Sequence, residues 1–191
     1  MKCLKYLLIS ALLISANSLA NNFELSKFNG VYEKVKVNGY NPNLVCLDYL
    51  NIIDVNDLNS GDSNFPQVYM PDIRKFKADC DPGLYLRTYD KQDVVDGYVQ
   101  ESAHNSICRV NKKALRKSET AYGKKAVYIS ETKMSNNKII DSYTETFDGL
   151  SIKRSWILIL EGKKLFYQRI DEETGGNSEI NTSSICEYIK Q

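Results

Sequence analysis

The chain has 191 residues, 42% of them hydrophobic, with 25 Lys and Arg against 24 Asp and Glu. So even a balance excludes whole-molecule attraction to nucleic acid or an anionic membrane surface. With one histidine, His104, and no H-E-x-x-H, G-x-S-x-G or phosphate-cradling glycine loop, the chain gives no motif for zinc, serine or nucleotide chemistry.

Met1 to Ala20 reads as a secretory signal peptide. Lys2 and Lys5 form a positive head, Leu7 to Ile14 is apolar apart from Ser10 and Ala11, and Ser18-Leu19-Ala20 supplies small residues for cleavage. The apolar run is shorter than the roughly 20 residues that span a bilayer, so no stable membrane insertion is expected. Residues 21–191 are then one exported β domain, periplasmic or extracellular. Without Lys2 and Lys5, 23 basic residues remain against all 24 acidic ones, a net charge of about −1. A domain of this length buries roughly 70% of its unfolded surface, so disulfides assist a core that is already sizeable.

Phe23 to Lys27 supplies a short helical turn before the strand Val31 to Val37. The stretch Ser26-Lys27-Phe28-Asn29-Gly30-Val31-Tyr32 resembles the opening of lipocalins and related calycins, in which such a turn leads into G-x-W at the base of the first barrel strand. Tyr32 stands where that family usually has Trp. The resemblance implies barrel-base packing among Gly30, Tyr32 and a basic residue late in the meander, Arg169. It also implies an eight-stranded cup that holds a small apolar molecule at its open end, which the interior of such a barrel is just wide enough to do. The long excursion after Ile53 departs from that family's compact hairpins.

Leu44 to Ile53 is the next strand. The excursion from Asp54 to Asp81 then crowds Asp54, Asn56, Asp57, Asn59, Asp62 and Asn64 around Gly61. Calcium would accept such oxygens, but Leu58 occupies a ligand position of the EF-hand spacing and the closing Glu is missing, so the segment reads as a surface loop. No metal site and no cofactor is expected. Leu84 to Tyr89 and Val94 to Gln100 are further strands. Arg109, Lys112, Lys113, Arg116, Lys117, Lys124 and Lys125 form the densest basic cluster, a candidate patch for an anionic partner. Asn111 is placed to cap a short helix there, with Ala114, Leu115, Ser118 and Tyr122 on one face.

Ala126–Thr132, Lys138–Phe147, Ser151–Leu160 and Lys164–Ile170 are rich in β-branched and aromatic residues. Asn136-Asn137, Asp148-Gly149 and Glu161-Gly162-Lys163 separate them. They read as a four-stranded antiparallel meander, with Ile139, Tyr143 and Phe147 on one face and Ile152, Trp156, Leu158 and Leu160 on another. Ser184 to Ile189 closes the domain. The fold class is therefore mainly β, an antiparallel meander closing into a calycin-like barrel or a sandwich, with one or two short helices.

After Cys3 is removed with the signal peptide, Cys46, Cys80, Cys108 and Cys186 remain. In an exported chain four scattered cysteines mean two disulfides, with three possible pairings. Their spacing lacks the close pairs of a zinc site, and His104 is not placed to activate Cys108. Cys46 with Cys80 and Cys108 with Cys186 are the favoured pairs. No catalytic residue is assigned. The leading function is an exported binding protein for a small apolar molecule. The alternatives are a secreted protein-interaction module, such as an inhibitor or effector, and a hydrolase in which Glu131, Asp141 and Glu145 converge.

Overall fold

A computed structural model describes residues 24–40, 46–58, 73–95, 98–99, 103–108, 110, 112–119, 125–175 and 179–191. The expected signal peptide, Arg109, Lys124 and residues 59–72, half of the Asp54 to Asp81 excursion, lie outside these residues.

The chain is mainly β. Ten strands form one antiparallel sheet. They are β1 (Gly30–Gly39), β2 (Tyr49–Asp54), β3 (Leu84–Tyr89), β6 (Ala103–Ile107), β7 (Lys113–Glu119), β8 (Lys125–Ser135), β9 (Lys138–Phe147), β10 (Leu150–Glu161), β11 (Lys164–Thr174) and β12 (Ile180–Lys190). A separate hairpin of β4 (Val94–Val95) and β5 (Tyr98–Val99), one α-helix, α1 (Ile73–Cys80), and three short 3-10 turns complete the regular elements among the described residues. The meander is present as expected: β9 has the expected bounds, and β8, β10 and β11 are longer than expected. Asp148 and Gly149 carry the positive φ, 49° and 77°, that a two-residue hairpin turn needs.

The spatial order is β6-β3-β2-β1-β12-β11-β10-β9-β8-β7. First and last strands therefore pair at the centre of the sheet, and the chain passes from one end of it, β6, to the other, β7. Only residues 108–112 make that passage. Laid flat, ten strands would be about 43 Å wide, whereas the six Cα steps from Ile107 to Lys113 reach about 22 Å. The sheet must curl until its two ends are near each other. The packing agrees: Ile107 and Val110 lie in one buried cluster with Met134, Ile139, Leu158 and Leu165. Thr132 of β8 donates its backbone N–H to the Lys112 carbonyl, and its side-chain oxygen lies 3.4 Å from the Cys108 carbonyl. The ladder is not closed between β6 and β7, so the curled sheet is open along one seam.

One face of the curl carries the main core. Tyr32, Leu50, Ile52, Leu84, Leu86, Ile107, Ile139, Leu158, Leu165, Cys186 and Tyr188 are almost wholly buried on it. On the opposite face of β2 and β3, α1 covers a second cluster of Ile53, Val55, Leu58, Cys80 and Tyr85, with Phe76 set edge-on to Tyr85 at 6.2 Å.

Two expectations are corrected. Residues 113–119 are strand, not helix: the period that groups Ala114, Leu115 and Ser118 is outweighed by a seven-residue register with β8. The four cysteines do form two disulfides, but the pairs are Cys46–Cys186 and Cys80–Cys108. Because β12 lies beside β1, Cys186 reaches the loop that follows β1 and not the end of β6.

Candidate functional site

At the base of the curl the 3-10 turn Leu25–Phe28 buries Leu25 and Phe28, and Asn29 fastens it to the next turn. Asn29 accepts the Asp54 backbone N–H through its side-chain oxygen and donates to Asp57. Asp54 in turn accepts from the Asn56 N–H, and Asn56 donates to Asp81. The described part of the oxygen-rich excursion is thus occupied in joining turns. Asn59, Asp62 and Asn64 lie outside the described residues.

Tyr32 is fully buried, donates its hydroxyl to the Phe28 carbonyl at 2.8 Å, and has its pKa pushed up to about 12 by burial. The cation over its ring is Lys190, 5.9 Å from the ring centre, with Gly30 at φ +147° lying against the Lys190 stem. Arg169 does not occupy this place. It pairs across the sheet with Trp156 and Ser184, several residues up the strands, and grips Asp171 with two hydrogen bonds of 2.8 and 3.2 Å. The physical reason is register: Tyr32 is opposite Lys190 in the β1–β12 ladder, so the last strand, not the one before it, supplies the cation.

Above the packed base the same face of β8 to β12 changes character. Residues paired on adjacent strands share a face, so the registers give lateral rows. The first runs Ser184, Arg169, Trp156, Asp141 and Thr132. The next runs Thr182, Asp171, Arg154, Tyr143 and Ser130. A third runs Glu173, Ile152, Glu145, Tyr128 and Arg116, with the Arg116 guanidinium 4.9 Å over the Tyr128 ring. Tyr128 and Tyr143 lie 5.9 Å apart, ring centre to ring centre. Trp156, Tyr143 and Tyr128 are half-buried here, whereas Leu158, Ile139 and Leu165 just below are fully buried. The floor is filled with side chains: Tyr167, with its pKa pushed up to about 12 by burial, is hydrogen-bonded by the Asn105 side chain from β6 across the curl.

Charge on this face is uneven. Asp171 already holds Arg169, and Arg154 reaches it only at 3.5 Å, with its side chain 48% exposed. Burial raises the Asp141 pKa, although a 2.6 Å hydrogen bond from the Thr132 hydroxyl lowers it in part. A raised carboxyl pKa means the folded protein holds that proton more tightly than the unfolded chain. Stability therefore falls as pH rises from the ordinary value of 3.8 through the raised one, and the cost is complete above it. Asp141→Asn keeps an acceptor for Thr132 and carries no charge. Its urea midpoint is expected above that of the native protein at pH 7, with the difference vanishing below about pH 4.

The remaining sequence-derived candidates separate. Glu131 lies on the opposite face from Asp141 and Glu145, because adjacent strand residues alternate. Asp141 and Glu145 are four residues apart on β9, roughly 13 Å, beyond the separation of a glycosidase carboxylate pair. The three acids of the hydrolase reading are not brought together. The basic cluster also divides: Arg116 joins Tyr128 on the core face, while Lys113 and Lys117 alternate with it onto the outer face beside exposed Leu115. Lys112 and Lys125 are exposed at the two ends of this pair of strands. Nothing in the local sequence marks Trp156, Arg154, Asp171 and Lys190 as a constellation. The alternation that placed Trp156 on a core face was the available signal, and the register alone shows its neighbours. No helix among the described residues is long and apolar enough to cross a membrane.

The chain matches no protein-family model, and comparison with the curated proteins and with the solved structures finds no match.

Proposed function

We propose that this is an exported binding protein that holds a small amphipathic molecule, with an apolar or aromatic body and an anionic group, on the core face around Trp156. The two disulfides support an oxidising destination, and the charged head and apolar run of Met1 to Ala20 support export. The observation that carries the ligand reading is Arg154. It stands half-exposed between Tyr143 and Asp171, next to Trp156 on the same face, and the acid it pairs with among the described residues, Asp171 at 3.5 Å, is already gripped by Arg169. An anion gains a charge-assisted hydrogen bond there, and the three aromatic faces offer flat area for its body. The packed floor favours a molecule lying on the face over a wholly apolar one sunk beneath it.

Two probes with the same aromatic body test this reading. Anilinonaphthalene sulfonate is expected to bind one to one, and Arg154→Ala to weaken it about tenfold, the loss of one hydrogen bond to a charged group. Neutral N-phenylnaphthylamine is expected to lose less than twofold. Equal loss for both probes, or none for either, would remove Arg154 from the site and the anionic group from the ligand.

A further inference from the structure

We infer a second site, independent of the one above: β7 is a docking edge for an extended acidic peptide, which adds to the sheet as a further strand at its open seam. β7 is the last strand at its end of the sheet, and no described strand pairs with its outer side. The backbone groups facing outward follow from the ladder. Thr132 donates its N–H to the Lys112 carbonyl, so Lys112 and Thr132 are a hydrogen-bonded pair, and in an antiparallel ladder such pairs recur at every second residue. Ala114 and Arg116 therefore bond to β8, while the N–H and C=O groups of Lys113, Leu115 and Lys117 point to the free edge. All of residues 112–117 are exposed, Leu115 to 60%.

Charge selects the occupant. Lys112, Lys113, Arg116 and Lys117 are four cations in six residues without an acid, and no ion pair joins any of them to a described acid: Glu131, opposite Lys113, is held by Lys133 at 3.0 Å. A second copy of β7 would bring Lys against Lys, which antiparallel pairing penalises. An incoming strand with acid, apolar and acid residues opposite Lys113, Leu115 and Lys117 would instead pair charge with charge and cover Leu115, while its backbone bonds to the free edge.

A labelled eight-residue peptide with Glu, Val and Glu at alternate positions tests the inference by fluorescence anisotropy. One-to-one saturable binding is expected. N-methylation of the peptide amides on its protein-facing edge should weaken it at least tenfold, and the same modification on the other edge should not. In the protein, Leu115→Pro removes one outward donor without touching the β7–β8 ladder and should also cost about tenfold. The Lys113→Glu/Lys117→Glu double variant should reverse preference toward the peptide with Lys in place of Glu. Binding indifferent to N-methylation, or a single-stranded oligonucleotide binding as tightly with the same charge dependence, would overturn strand addition in favour of a simple polyanion patch. Because Trp156 and Arg154 play no part, Arg154→Ala should leave peptide binding unchanged, so failure here and failure of the small-molecule site are separable.

Discussion

Replacing Cys46 and Cys186 together by alanine is expected to cost the domain about 5 kcal/mol. The bond closes a separation of 140 residues, and restricting so long a loop in the unfolded chain contributes about that much in the chain-entropy account. Removing Cys80 and Cys108, 28 residues apart, is expected to cost about 3.6 kcal/mol on the same basis. Typical domains have only about 5–15 kcal/mol of stability, so the first variant should unfold at low urea or fail to accumulate. The position of the bond adds to the argument. Cys46 and Cys186 are both buried, and the Tyr188 hydroxyl donates to the Leu47 carbonyl beside them. Loop and last strand are therefore one packed unit. Urea unfolding of both double variants measures the order directly, and a smaller loss for Cys46/Cys186 than for Cys80/Cys108 would contradict it.

Tyr32→Ala is expected to be nearly as severe, about 3–5 kcal/mol, the range for removing a buried aromatic side chain. Tyr32 is among the largest fully buried side chains and holds together three parts of the base: the turn through its bond to Phe28, β1 through its backbone, and the chain end through Lys190 over its ring. The graded variants separate these contributions. Tyr32→Phe keeps the ring and leaves the Phe28 carbonyl without its partner, for a loss of about 1–3 kcal/mol. Lys190→Met keeps most of the stem and removes the charge, for about 0.5–1 kcal/mol. Thermal or urea unfolding of the three variants should return that order. A Tyr32→Phe loss equal to that of Tyr32→Ala would assign the whole effect to the hydrogen bond and none to packing.

The meander was legible because two local signals agreed. Alternation assigned faces to Ile139, Tyr143, Trp156 and Leu158, and Asp148-Gly149 fixed a hairpin between them. β7 is ambiguous in sequence because Ala114, Leu115 and Ser118 fit a helical spacing as well as a strand, and seven residues are too few for propensity to decide against an available sheet edge. The disulfide pairing is set by which strands neighbour each other at the centre of the sheet, and local sequence carries no information about the meeting of the first and last strands. Lys190 was missed for a related reason. The sequence pattern of the closing strand stops at Ile189, one residue short of Lys190, and the calycin resemblance points instead to Arg169. The candidate face itself was half legible: its aromatic residues followed from alternation, but the lateral succession of Arg169, Trp156 and Asp141 exists only once three strands are in register.

Trp156 is the single tryptophan of the chain, so its indole N–H gives one signal in a nitrogen–proton correlation spectrum. That signal, followed while anilinonaphthalene sulfonate is added, is the most direct test of the proposed site. Binding on the core face predicts a shift of the indole peak that saturates with the same dissociation constant as the dye fluorescence and is lost in Arg154→Ala. An indole peak that stays in place while the dye saturates would show the dye held elsewhere and would contradict the assignment of this face as the binding site.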